Sequence, residues 1–307
     1  MRLAILCSGQ GGQHPGMFAL TAGRPAAQAV FAAARPLLGA DPRDLVRTGG
    51  AALHGNRTGQ ILCCVAALTA WTIVAEAAPA RPIVAGYSIG DLAAWGCAGR
   101  FAPETVLALA AARAEAMDAA SGPDHGLAGI RGLPQARVAA MAQAHGCHLA
   151  IRNARDSVVI GGPRAALEAV CAGALAAGAQ RAVVLPVRTP SHTPLLKAAS
   201  ARFRETLDAA PIATPPRSGP RLVSGLDGAA VFDAATGRDK LARQISETID
   251  WAACLEACAE YGATSVLELG PGHALATMAN AALPAARVRA LEDFRSAEGA
   301  SAWIAQT

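Results

Sequence analysis

The pentapeptide Gly86-Tyr87-Ser88-Ile89-Gly90 constrains this chain more than any other stretch. An apolar strand-like run, Arg81-Pro82-Ile83-Val84-Ala85, leads into it, and a helix-like run, Asp91-Leu92-Ala93-Ala94-Trp95, leads out. A serine on a sharp strand-to-helix turn lifts its hydroxyl clear of the sheet, and the flanking glycines let backbone crowd the turn. The amide after the serine then faces the carbonyl oxygen of a reacting acyl group. A chain with 31 glycines also produces Gly-x-Ser-x-Gly by chance; the strand before and the helix after separate the two readings.

The length of 307 residues allows one large domain or two smaller ones, and 52% apolar residues supply a sizeable core. The net charge of +4 is spread without a basic run and only 4% of residues are aromatic, which speaks against nucleic-acid binding. The small positive excess suits an anionic ligand or an acidic partner.

Eight cysteines show no Cys-x-x-Cys spacing and mostly lie in apolar runs, where a reduced thiol behaves as a small hydrophobe. They read as core thiols of a cytoplasmic protein. Cys254 and Cys258 share a helical face, but no matching histidine pair accompanies them, so no metal site is expected. The N-terminal apolar run is too short for a signal-peptide core. Ile61 to Ala78 carries only Glu76 as a charge over eighteen residues, about the least that spans a bilayer. Its alanine content and its lead into the elbow strand favour a buried helix over a membrane span.

The opening strand, Leu3 to Cys7, runs into Gly9-Gln10-Gly11-Gly12-Gln13-His14-Pro15-Gly16. A dinucleotide fingerprint wants glycine where His14 stands. A glycine loop after the first strand of an α/β sheet can instead lend a backbone amide to a site at the strand ends. Residues 103 to 120 read as a helix with Val106, Leu109, Ala110 and Met117 on one face and Arg113 in the middle of it. A buried charge needs a partner, so Arg113 either meets a carboxylate or loop carbonyls, or binds an anionic ligand.

After a break at Ser121 to Gly126 the elements follow as βαββαβ, the order of a ferredoxin-like unit. The expected organisation is therefore an α/β-hydrolase-like catalytic domain with a parallel sheet, residues 1–126 and 193–307, interrupted by a ferredoxin-like subdomain, residues 127–192. The strand Ser265 to Leu269 and the loop Gly270-Pro271-Gly272-His273 complete the first sheet from the C-terminal third.

A serine nucleophile needs a base and oxyanion donors. Of seven histidines, His54, His125, His145 and His148 lie in turn-like or peripheral places. His14 and His273 sit in the two glycine loops. His192 follows the last strand of the inserted unit, and the prolines around it, Pro190 and Pro194, restrict the backbone that holds its ring. It is the favoured base.

Taken together, Gly9-Gln10-Gly11-Gly12-Gln13, Gly86-Tyr87-Ser88-Ile89-Gly90-Asp91, Arg113, Pro190-Ser191-His192 and Gly270-Pro271-Gly272 resemble the malonyl-CoA:acyl carrier protein transacylases over nearly the whole chain. Within that family the wording around Gly9 and Tyr87 most resembles the epsilon subunit of malonate decarboxylase, which loads a dedicated carrier subunit. The resemblance implies Ser88 as the nucleophile, His192 as general base and acid, and the amides of Gln10 and Ile89 as the oxyanion hole. It implies Arg113 as the clamp on the free carboxylate of malonate. It further implies no tightly bound cofactor, a CoA thioester as substrate, and an acyl carrier protein with a phosphopantetheine-type arm as partner. Tyr87 stands where the family usually has histidine, and Asp91 where it has glutamate. Near the family's glutamine, whose backbone carbonyl orients the histidine, the chain reads Ile249-Asp250-Trp251; Asp250 is therefore a possible orienter of His192, by side chain or backbone. A serine esterase or thioesterase shares the elbow and histidine without needing Arg113. A non-catalytic carrier-docking subunit would need none of the three residues.

Overall fold

A computed structural model describes residues 2–214 and 218–306. The sequence from Pro211 to Pro220 is rich in proline and reads as a loop, and its residues 215–217 lie outside those described. Among the described residues ten strands form two sheets: β1 (Leu3–Cys7), β2 (Ile83–Gly86), β3 (His125–Arg131), β4 (His148–Ala154), β5 (Ser157–Pro163), β6 (Arg181–Val184), β7 (Arg221–Leu222), β8 (Ile249–Asp250), β9 (Ser265–Leu269) and β10 (Arg287–Ala290).

The first sheet has the order β10-β9-β1-β2-β7 and is parallel throughout. Parallel pairing places the strand ends in line: Cys7 lies opposite both Gly86 and Leu269. The N-terminal glycine loop, the elbow and the Gly270 loop therefore leave the sheet side by side at its carboxyl edge, where open α/β sheets bind ligands. Successive residues of β1 serve opposite faces. Leu3, Ile5 and Cys7 join a core with the helices Asn56–Val74 and Ile89–Cys97, whereas Ala4 and Leu6 join one with Trp251, Leu275 and the second sheet.

Residues 61–74 of the expected run Ile61 to Ala78 fall in the helix Asn56–Val74, which ends in a turn before Ala78. Among the described residues this is one helix long and apolar enough to cross a membrane, with mean hydropathy 1.3, and 72% of that stretch is buried inside the protein. The helix Pro103–Ala120 buries Val106, Leu109, Ala110, Arg113 and Met117 and exposes Glu104, Glu115 and Asp118, as the periodicity predicts.

The second sheet has the order β6-β3-β5-β4-β8. Strands β3 to β6 are antiparallel neighbours, and the helices Gln135–Ala144 and Arg164–Ala176 cover one face around Ala128, Ile130, Val158 and Ile160. This is the ferredoxin-like arrangement. It begins two residues before Leu127, and a fifth strand, β8, pairs in parallel with β4. Because β8 comes from beyond residue 193, chain outside the inserted unit completes the second sheet.

Candidate active site

Ser88 sits between β2 and the helix Ile89–Cys97 at φ 56° and ψ −118°, a conformation that costs a non-glycine residue about 1–3 kcal/mol and persists only where its surroundings impose it. The surroundings are backbone. A Cβ on Gly90 would stand 2.0 Å from the carbonyl oxygen of Cys7, so only glycine lets the helix start this close to β1. A Cβ on Gly12 would stand 2.2 Å from the carbonyl of Pro271, which likewise presses the two glycine loops together. Beneath them, buried Glu268 accepts from the Ser8 hydroxyl at 2.6 Å and from the amides of Leu275 and Ala276.

The Ser88 Oγ lies 2.8 Å from Nε2 of His192. Nδ1 of His192 is hydrogen-bonded to the main-chain carbonyl of Gln244. A carbonyl only accepts, so Nδ1 carries the proton and Nε2 presents its lone pair to the serine hydroxyl. His192 has φ 64°, its own amide donates to the carbonyl of Ile245 at 2.8 Å, and the Thr193 hydroxyl closes the turn onto Pro190 at 2.6 Å. Burial, followed by the nearby charge of Arg113, pushes the imidazole from 6.5 down to about 3, against the opposing effect of its hydrogen bond to the Gln244 carbonyl. The ring is therefore neutral at physiological pH.

Arg113 is 2% exposed. Its Nη1 donates to Oε1 of Gln60 at 2.6 Å, while Nη2 is buried with no hydrogen-bond partner among the described residues. Burial pushes the guanidinium down to about 10, still charged at neutral pH. Neither alternative of a carboxylate or loop carbonyls holds: one edge of the fork is on a glutamine amide and the other is free. Such an arrangement accepts an anion without first losing a partner.

The amides of Gln10 and Ile89 have no hydrogen-bond acceptor among the described residues. Gln10 also borders a groove of about 660 Å³ lined by Gln13, Asn56, Asp118, Val187 and Thr189 and rimmed by His54, Arg164 and Arg188.

Three sequence candidates are placed elsewhere. His14 and His273 pair with Glu292 at 2.8 Å and Asp293 at 3.0 Å beside a separate cavity of about 300 Å³. Asp250 does not orient His192. Its carboxylate caps the helix Trp251–Glu260 by accepting from Ala253 N at 3.1 Å and lies 3.5 Å from Arg152. The orienting carbonyl belongs to Gln244, just past the helix Ala234–Arg243. Gln244 and Gln60 are the residues that sequence reasoning missed. A glutamine with 1% exposure or less announces itself only once burial is known, and Gln60 ends the polar stretch Asn56-Arg57-Thr58-Gly59 just before the apolar run. Tyr87 packs edge-on against Trp251 and donates to Asn153 at 3.1 Å, joining the elbow to β4.

A strained serine at a strand end, a neutral histidine on its hydroxyl and free amides beside it define an enzyme of the acyl-transfer class. The acyl transferase domain family matches residues 5–281. The malonyl CoA-acyl carrier protein transacylases of Salmonella typhimurium and Escherichia coli K12 are 30% and 31% identical, each over 89% of this chain and 90% of their own length. An acyl-carrier-protein S-malonyltransferase from Burkholderia pseudomallei superimposes with a TM-score of 0.90 at 32% identity, covering 98% of this chain and 100% of that one. A malonyl-transacylase solved with its type II polyketide synthase acyl carrier protein gives 0.89 at 27% identity, with 99% of each chain covered. The chain belongs to the malonyl-CoA:acyl carrier protein transacylase family.

Proposed function

We propose that the protein moves a malonyl group from malonyl-CoA to the thiol of an acyl carrier protein's prosthetic arm, by way of an ester on Ser88. The unpartnered Nη2 of buried Arg113 carries the reading, because a thioesterase for simple acyl groups has no use for a half-free guanidinium. A malonyl carboxylate offers that fork the acceptors it lacks.

Ser88 Oγ attacks the thioester carbonyl as its proton passes to His192 Nε2. The amides of Ile89 and Gln10 hold the oxyanion, each worth roughly 3 kcal/mol in comparable sites. The C–S bond breaks, and CoA leaves with the proton from His192. The carrier's thiol then gives its proton to His192 and attacks the ester; the second collapse returns the proton to Ser88. The groove beside Gln10, with Arg164 and Arg188 on its rim, supports passage of the phosphopantetheine arm that CoA and a carrier share.

Malonyl-CoA:acyl carrier protein transacylases are the relatives reported above, which supports a carrier of fatty-acid or polyketide synthesis. The tyrosine of Gly86-Tyr87-Ser88 favours a second reading, the carrier subunit of malonate decarboxylase. Eight free, buried cysteines support a cytoplasmic setting.

Intact-mass spectrometry after brief mixing with malonyl-CoA tests the proposal, with acetyl-CoA in parallel and Ser88→Ala as control. A lasting malonyl adduct that requires Ser88 and moves to a holo-carrier is the expected result. CoA release without an adduct indicates a thioesterase, and no reaction indicates a docking subunit. Presenting both kinds of carrier to the loaded enzyme decides between the two partners.

A further inference from the structure

Four residues close a ring of hydrogen bonds. The Asp91 amide donates to the Ser88 carbonyl at 3.0 Å. The Ser88 hydroxyl meets His192 Nε2 at 2.8 Å, His192 Nδ1 donates to the Gln244 carbonyl, and the Gln244 side-chain amide donates to Asp91 Oδ2 at 3.0 Å. Asp91 lies in the first turn of the helix Ile89–Cys97, where an acid ordinarily serves its own helix. Here the carboxylate turns away. Its Oδ2 receives Gln244 and also the amide of Gly225 at 2.9 Å, both from segments remote in sequence. Asp91 and Gln244 are each 1% exposed, so a Gln244 amide that lost Asp91 would have no water to turn to. It would reorient and carry its main-chain carbonyl with it.

We propose that Asp91 is a positioning residue: by holding the side chain of Gln244 it fixes the carbonyl that aims His192 at Ser88. The inference rests on the reading of Ser88 and His192 as nucleophile and base. Asp91 therefore touches both ends of the pair: its main-chain amide belongs to the elbow, and its carboxylate holds the segment behind the histidine.

The test is the rate at which a fluorophosphonate probe labels Ser88, which reports activation of the serine without any thioester. Asp91→Asn can keep an oxygen in the place of Oδ2, where both donors converge. Asp91→Leu cannot. Gln244→Leu keeps Asp91 and the main-chain carbonyl but removes the link. Labelling should fall about 30-fold or more in Asp91→Leu and Gln244→Leu, a loss typical of an ångström-scale misplacement, and stay within about threefold of wild type in Asp91→Asn. If Asp91→Leu does not fold, Gln244→Leu carries the test. Wild-type labelling in Gln244→Leu overturns the proposal, as does an Asp91→Asn that falls as far as Asp91→Leu. Absence of labelling in the wild type removes the nucleophile reading and the inference with it. Labelling without a malonyl ester refutes only malonyl transfer.

Discussion

Ser88 and His192 are the two non-glycine residues with positive φ among the described residues, at 56° and 64°, and they face each other across a 2.8 Å hydrogen bond. Strain of this kind concentrates where the fold must hold a side chain in one place. Each residue is locked by backbone: Ser88 by the close approach of Gly90 to Cys7, and His192 by its amide on Ile245.

Arg113→Ala is expected to slow malonyl ester formation by about 100-fold, the worth of two charge-assisted hydrogen bonds, while acetyl transfer changes by less than about threefold. Arg113→Lys keeps the charge without the fork and should fall between. Stopped-flow acylation with both thioesters measures the ratio; equal losses would remove the carboxylate clamp.

Labelling of Ser88 should show no break near pH 6.5, because His192 is already pushed down to about 3. The charge of Arg113 contributes to that depression, so Arg113→Ala should move the acid limb upward. A wild-type profile that titrates near 6.5 would contradict a buried, neutral base.

Burial pushes the Asp91 carboxyl from 3.8 up to about 7. Raised above its unfolded value, the group favours the fold fully below about pH 4, and that contribution is lost as pH rises through about 7. Asp91→Asn does not titrate. Its unfolding midpoint relative to wild type should therefore climb between pH 4 and 8, and thermal scans across that window would show a flat difference if Asp91 is not desolvated.

Gly90→Ala must displace either the helix or β1, since its Cβ would stand 2.0 Å from a backbone oxygen. A loss of about 3 kcal/mol or more is expected from overpacking of this severity. Denaturant titration measures it, and a near-neutral result would mean that the elbow yields.

Tyr87→Phe leaves the Asn153 side-chain oxygen without its 3.1 Å partner and should cost about 1 kcal/mol. A double-mutant cycle with Asn153→Ala would show coupling of similar size if this bond joins the elbow to β4 as the geometry indicates.

The elbow, the helix with Arg113 on its apolar face and the βαββαβ order were legible because each is a local pattern: a turn between two periodic runs, a misplaced charge at helical spacing, a succession of elements. His192 was legible through the prolines that brace it. Asp250 was not, because it competes with Gln244 for a role that only distance decides, and the two are separated by a turn whose path the residues do not declare. The pairing of β8 with β4 was not legible either, because it is a long-range backbone contact between segments about a hundred residues apart.

Local propensity and burial patterning, set by residues near one another in the chain, determined an α/β framework with a serine at a strand end and a lone buried cation. The tertiary structure decided which carbonyl holds the histidine, that His14 and His273 turn to Glu292 and Asp293, and that Gln60 takes one edge of Arg113 and leaves the other free. These outcomes depend on hydrogen bonds between segments far apart in sequence. Their partners are chosen by which polar groups the packed core strands together away from water.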